Sequence, residues 1–504
     1  MAWLETLYFQ FLTIFVVVMN NLSERISTLL AKMPMAMVVV PFAIGIFFAE
    51  HYTLPLWLLI FLCLITLTGA IAFTEWRQNI SLCATLFAVG ALLHSLSYRE
   101  EIPYNKPLEM TLKIETSSAL RSGYISSEAK IEECATATLT GRNIVVWGDS
   151  LIRFKAGDRL HLTTQIYPFR AKREAYARLM HHRGFVGAVS VNHRATYDYI
   201  PAEKGSLHDW AVERLQSAME PSDAGGVVLA MTTGERSKIR SELRQNYSMS
   251  GASHLLAVSG LHIGIAFMLI NFLLLPLLLL RYGNVARSVV AVALIWCYVW
   301  LCGMSPSAVR AAIMFSLLQF SISSLRDYTS INILAGTAFV MLAFNSHLLF
   351  DISFQLSFIA VAGIVLWAMP LYRLCATRSK VANSLIAVLF VGIASTIATM
   401  PLVSHTFSTV SLVGVMINPA VILLANIIVL AGVIALAIPP VVRVAELAAE
   451  WQNRIIEWSA SLRYGHFDIE ISEWAMWSIY IAFAVATILI FLLPKREKRP
   501  KIEG

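Results

Sequence analysis

His254-Leu-Leu-Ala-Val-Ser-Gly-Leu-His-Ile-Gly264 opens an apolar run that continues to Leu280. Two imidazoles, a hydroxyl and two glycines stand in a segment otherwise composed for burial in lipid. Polar groups at bilayer depth are costly and face a bundle interior or a wet cavity. On a continuous helix His254 and His262 would stand about 80° apart. Gly260 and Gly264 would share one face and admit a neighbouring backbone closely. Ser259 and Gly260 lower helix propensity in mid-run, so a local break is expected there. The bland alternative is that both histidines only hydrogen-bond to adjacent helices.

The remainder of the chain agrees with a membrane setting. Of its 504 residues 57% are hydrophobic and 14% charged, against about 25% charged in soluble domains. Mean hydropathy is +0.66, and apolar runs of helix-spanning length recur. The net charge of +7 is modest and owes much to Lys495-Arg-Glu-Lys-Arg-Pro-Lys501. A basic tail after a last membrane segment is a topology signal rather than a sign of nucleic acid. The six cysteines, Cys63, Cys83, Cys134, Cys297, Cys302 and Cys375, form no CxxC pair, so neither a metal site nor a cofactor is expected. The run Leu7–Met19 lacks a basic flank and a cleavage site, and reads as an anchor or short extra helix.

Three membrane segments are expected at 35–50, 54–73 and 79–98, within an N-terminal unit 1–99. Residues 100–205 then change character. Period-2 alternation at Met110, Leu112, Ile114 and at Leu160, Leu162, Thr164, Ile166 predicts strands. Gly141-Arg-Asn, Gly148-Asp and Ala156-Gly-Asp158 punctuate them as turns. A short helix is expected at 171–182 and a strand at 187–199. This pattern predicts an external small β-barrel of OB-like type. Arg170, Lys172, Arg173, Arg178 and Arg183, interleaved with Tyr167, Phe169, Tyr176 and Phe185, are the candidate DNA contacts there. A solvated helix face beside core aromatics is the competing reading.

Residues 206–251 read as amphipathic and interfacial, around a Val227–Gly234 stretch too short to span. The second membrane block, 252–493, has segments at 252–280, 286–303, 306–324, 331–345, 347–370, 383–402, 407–424, 425–439 and 474–493. An interfacial amphipathic helix is expected at 441–465, and a cytoplasmic tail at 494–504. Alternating sides puts every Lys/Arg cluster in the cytoplasm and residues 100–250 outside. The fold class is thus a polytopic α-helical membrane protein carrying an inserted β-barrel.

Polar residues interrupt this block in five places. Besides His254–Gly264 they are Pro306–Arg310, Asp351–Phe358, His405 and Asn418-Pro419. An unpartnered arginine at the bilayer centre costs ~2.5–3.5 kcal/mol or more. Asp351 is therefore the natural partner expected for Arg310, with water or phosphate as the alternative. Polar density in several spans marks either a permeation path or internal bracing.

These motifs resemble those of the ComEC family of competence proteins. The resemblance rests on Gly251-Ala-Ser-His254-Leu-Leu-Ala-Val-Ser259-Gly260-Leu-His262, and on Leu229–Arg236 upstream of it. Pro306-Ser-Ala-Val-Arg310, Phe354-Gln355-Leu-Ser357-Phe358 and Asn418-Pro419 look like its inner-bundle motifs. It implies an inner-membrane channel for single-stranded transforming DNA, shaped by His254, Ser259, Gly260, His262, Gly264, Pro306, Arg310, Asp351, Gln355, Ser357, Asn418 and Pro419. It also implies single-stranded DNA and the lipid bilayer as partners. A periplasmic DNA receptor of the ComEA type, a cytoplasmic DNA-handling factor and a separate nuclease complete the set. Many members carry a metallo-β-lactamase-type domain with a His-x-His-x-Asp-His cluster. No such string occurs before Gly504, and no phosphate-binding loop occurs either, so the chain is expected not to be an enzyme. A secondary transporter for an anionic or lipidic solute is the alternative. An intramembrane hydrolase using Ser259 and the histidines lacks a nearby carboxylate.

Overall fold

A computed structural model describes the chain except residues 1–32, 98–101, 116–118, 122–123, 135, 137–138, 150–151, 153, 156, 170–179, 181–183, 192–196, 202–206, 324–328, 376, 378, 463–465 and 493–504. The anchor at Leu7–Met19, most of the helix at 171–182, the basic tail and all of Arg170, Lys172, Arg173, Arg178 and Arg183 lie outside the described residues.

The N-terminal block is α1 (Pro34–His51), α2 (Leu56–Ala72) and α3 (Glu75–Ser97). Glycine sets the α1–α3 crossing. A side chain at Gly45 would strike the Phe87 carbonyl, and one at Gly90 would strike the Phe42 carbonyl. Such close backbone contact replaces the hydrophobic drive that lipid removes. At the end of this pair His94 is buried. Its ring bonds Glu50 Oε2 at 2.8 Å and Ser346 Oγ at 2.9 Å.

The β unit has β1 (Pro107–Ile114), β2 (Ala119–Arg121), β3 (Tyr124–Cys134), β4 (Asn143–Asp149), β5 (Arg159–Gln165), β6 (Phe185–Val191) and β7 (Tyr197–Ile200). They form one open mixed sheet in the order β6-β4-β3-β1-β5-β7, with β2 on β3. The alternating residues behave as read: Met110, Leu112, Ile114, Leu160, Leu162 and Ile166 are buried in one core. Gly141 and Gly157 adopt left-handed φ values of 85° and 95° at turns read from the sequence. The β4–β6 pair is parallel. Just past β5, Tyr167 makes a single antiparallel bridge to Ala188 of β6.

Residues 207–249 supply α4 (Leu207–Gln216), α5 (Asp223–Thr233) and α6 (Ser241–Met249). The interfacial reading of this stretch needs correction at its centre. Every residue of α5 from Ala224 to Thr233 is buried, because α4, α14 (Leu412–Ala437) and α15 (Val442–Ala460) pack against it. It joins the largest buried cluster with residues of α14 and α15. The Thr232 carbonyl accepts from Tyr298 Oη at 3.2 Å and Cys302 Sγ at 3.5 Å, so α5 is also tied to the span ending at Leu301.

The other helices are α7 (Gly260–Leu273), α8 (Gly283–Leu301), α9 (Pro306–Ser323), α10 (Ser330–Phe344), α11 (Ile352–Gly363), α12 (Met369–Cys375), α13 (Lys380–Phe407) and α16 (Glu473–Leu492). A π-helical turn, Ile364–Ala368, joins α11 to α12 without a break. Among the described residues, six helices are long and apolar enough to cross a membrane: Pro34–His51, Trp76–Ser97, Gly283–Leu301, Ile352–Arg373, Ile386–Phe407 and Met416–Ala437. Shorter apolar helices accompany them, α7 and α9 among these.

The two segments expected at 407–424 and 425–439 are in fact one helix, α14, running through Pro419. Pro419 stands two turns into α14, where it removes an intrahelical bond, a loss that packed neighbours make tolerable in membrane helices. Before α14, β8 (Thr409–Ser411) pairs with β9 (His466–Asp468), which leads into α16. At the other end of α14 the Leu436 carbonyl accepts from Arg214 Nε of α4 at 3.4 Å.

Candidate functional site

The apolar run from residue 252 is broken where Ser259-Gly260 interrupt it. A short 3₁₀ turn spans Ser253–Leu256, the chain extends at Ala257, and α7 begins at Gly260 with Ser259 as its N-cap. The expected 80° relation between His254 and His262 therefore fails, since they lie on different elements. His262 is buried, and its Nδ1 accepts the Ser259 N–H at 3.3 Å. That bond fixes the tautomer: Nδ1 carries no proton, so neutral His262 carries it on Nε2. Ser259 and His262 thus form a reciprocal capping box at the start of α7, while Nε2 of His262 is buried without a partner. His254, on the 3₁₀ turn, is exposed.

The two glycines play different parts from those expected. Gly264 makes the close approach: a Cβ there would lie 3.0 Å from Phe315 Cζ. Phe315 in turn stacks on Phe267 with ring centroids 4.8 Å apart. Gly260 does not wedge against a neighbour. Its position is exposed, and a Cβ there would meet only Ala311 Cβ at 3.8 Å. Gly260 thus borders open space beside the helix start.

Pro306 begins α9, as its fixed φ favours. One turn on, Arg310 is buried to 2% exposure. Its expected ion pair with Asp351 is not formed. Arg310 Nη2 donates to Ser353 Oγ at 3.0 Å, and Nε and Nη1 have no partner. Asp351 instead caps α11, its Oδ1 accepting from the Phe354 N–H at 2.9 Å, and acts on Arg310 only through its field. Gln355 is likewise spent on structure, donating to the Leu349 carbonyl at 2.9 Å. Ser357 is half-buried one turn beyond Ser353 on α11.

Asn418 and Pro419 lie in the first turns of α14. Asn418 Oδ1 is buried and unbonded. The adjacent Ile417 and Val421 share a core with Leu255, Leu256 and Ile265. On its other side α7 shares a core with Ala308, Ala311 and Ala312 of α9. So α7 is held between α9 and α14, and unsatisfied polar atoms from His262, Arg310 and Asn418 occur on these three helices. His405 is not among them: its Nδ1 bonds the Ile471 carbonyl at 3.0 Å and ties α13 to the approach of α16.

The Glu50–His94–Ser346 chain went unnoticed in the sequence. Its signal was present, a carboxylate and an imidazole at the ends of two neighbouring apolar segments.

Comparison with known proteins places this arrangement. The sequence profile of the family described as "Competence protein" matches residues 231–496, more than half of the chain. ComE operon protein 3 of Bacillus subtilis (strain 168) is 28% identical over 298 residues, 56% of this chain and 36% of that protein. An uncharacterized protein of Aquifex aeolicus (strain VF5) is 28% identical over 260 residues, 51% of this chain and 59% of the relative. The uncharacterized protein YcaI of Escherichia coli (strain K12) is 24% identical over 221 residues, 42% of this chain and 29% of that one. The matches thus span 29% to 59% of the relatives' own lengths. No solved structure matches.

Proposed function

Because the chain belongs to the competence-protein family, we propose that it conducts single-stranded DNA across the cytoplasmic membrane during natural transformation. The observation that carries this reading is the polar break at Ser259–Gly260. A bundle built only for stability would satisfy its buried polar atoms, since each orphan costs about 1–3 kcal/mol. Here His262 Nε2, two nitrogens of Arg310 and Asn418 Oδ1 are orphaned on three neighbouring helices, close to the exposed Gly260. Water or a passing polyanion would satisfy them.

In this reading the residues divide their work. Gly260 leaves the gap, the exposed His254 stands just before it, and Arg310 supplies positive charge at depth. Asp351, Gln355 and Gly264 hold the walls. Pro306, Ser357 and Pro419 shape the helices around them. The chain acts as a conduit and not as an enzyme, and strand degradation falls to a separate nuclease. A periplasmic receptor delivers the DNA and a cytoplasmic factor receives it.

The β unit is proposed to be an OB-like barrel on the outer face. Three antiparallel strands β3-β1-β5, the parallel β4–β6 pair and the Tyr167–Ala188 bridge support that topology. The test is flux. Purified chain in liposomes should pass a labelled single-stranded oligonucleotide into a nuclease-protected lumen, and Gly260→Trp should stop it without unfolding the protein. Equal flux through the tryptophan variant would remove the route from Gly260.

A further inference from the structure

The loop after α5 carries cations that the bundle does not use. Gly234 ends α5 in the left-handed region with φ +87°, which reverses the chain without the strain a side chain would meet. A Cβ at Gly234 would lie 3.5 Å from Val258 Cγ2 and 3.1 Å from the Cys302 carbonyl. The loop 235–240 therefore leaves the fold one residue away from the cap of α7, beside the break already described. Arg244 of α6 donates from Nη2 to the Arg236 carbonyl at 3.3 Å, which holds the Arg244 guanidinium against the backbone of Arg236. Both are exposed.

Two of the neighbouring carboxylates are committed elsewhere. Asp223 is taken bidentately by Arg240. Glu235 accepts the Ser237 N–H at 2.7 Å and faces His208 at 4.0 Å. Glu242 acts on Arg240. Among the described residues, neither Arg236 nor Arg244 has an ion pair, and exposed Lys238 adds a third positive charge to the same loop. Like charges held together in this way are relieved by an anion, and the planar guanidinium fork suits phosphate oxygens.

We propose that Arg236 and Arg244 form a cradle for the phosphodiester backbone of the incoming strand, at the outer end of the route and independent of base sequence. This rests on the reading of the chain as a DNA conduit. The probe is fluorescent oligothymidylate, titrated against KCl with the full chain in nanodiscs of zwitterionic lipid. Single strands lose a salt slope of ~0.7 per phosphate contact, so R236Q/R244Q should lower the slope by ~1.4 and R244Q alone by ~0.7. R236K/R244K, which keeps the charge, should retain most of it. If the folded wild-type chain binds no oligonucleotide, the conduit reading falls and the cradle with it. If the wild type binds and R236Q/R244Q or R244Q shows the wild-type slope, the cradle alone falls. A loss seen only in nanodiscs of anionic lipid assigns the arginines to headgroups and equally overturns it. Should R236Q/R244Q fail to fold, R244Q decides.

Discussion

Arg310 is a buried guanidinium with one hydrogen bond where it could make five. The single bond goes to a serine, and the nearest carboxylate is occupied in capping a helix. A structural arginine would be lost at a cost of 3–5 kcal/mol, roughly the penalty of breaking a buried pair. A charge kept for a passing anion has the opposite signature. Arg310→Gln should melt at or above the wild-type temperature while lowering DNA passage by about tenfold or more, equivalent to ~1.4 kcal/mol on the path. Asp351→Asn added to it should not restore passage. A destabilised Arg310→Gln that Asp351→Asn rescues would make the two an ion pair after all. The glycines give a second contrast. Leucine at Gly264 overpacks against Phe315 and should cost about 1–3 kcal/mol of stability. Leucine at Gly260 enters open space and should leave melting unchanged while reducing passage. Reversed melting behaviour would put the gap at Gly264.

Among the elements, α15 carries three distinct faces. Val442, Ala445, Ala449, Gln452 and Ile456 are buried, with Gln452 Nε2 donating to Tyr247 Oη at 2.9 Å. Val444, Leu447, Trp451 and Trp458 form an exposed apolar stripe. Between them and the core runs a third strip, with Arg443, Glu450, Arg454 and Glu457. A helix lying in the headgroup layer needs lipid on one flank and water on another. A spin label at Leu447 should therefore broaden with lipid-soluble oxygen, and one at Glu450 with an aqueous nickel reagent. Equal response at both sites would contradict the interfacial placement. This helix was legible because its charges recur at helical spacing. The break at Ser259 was legible too, since two poor helix formers stand together in an apolar run. What the sequence hid depended on neighbours. Asn418-Pro419 reads as a division between two spans, yet a proline in an early turn is tolerated within α14. The pairing of Arg310 with Asp351 was plausible by charge alone, but the carboxylate is needed by the Phe354 N–H. Burial of α5 could not be read from eleven residues too short to span, because its partners come from distant segments.

On the scale of the molecule, one helix in place of two expected spans changes the count of crossings. Two contacts bear on the sides on which the ends of α14 lie. Its start adjoins the β8–β9 pair that leads into α16, and its end is held by Arg214 of α4. If both ends lie on the outer side with the β unit, the positive clusters Arg281/Arg287 and Arg373 stay cytoplasmic, as the charge rule asks. Cysteines at Ser408 and Ile438, in a chain freed of its other cysteines, should both react with an impermeant maleimide in spheroplasts, and one at Arg281 should not. Labelling of only one of the first two would make α14 a true crossing and reverse the tail. The claim that joins these scales is passage of single-stranded DNA through this bundle. It is tested most directly by nuclease-protected, strand-labelled DNA in the cytoplasm of a transformable strain whose own gene is replaced by this chain. Restored uptake of one labelled strand is the predicted result, whereas a chain present and folded in the membrane with no label inside the cell would contradict it.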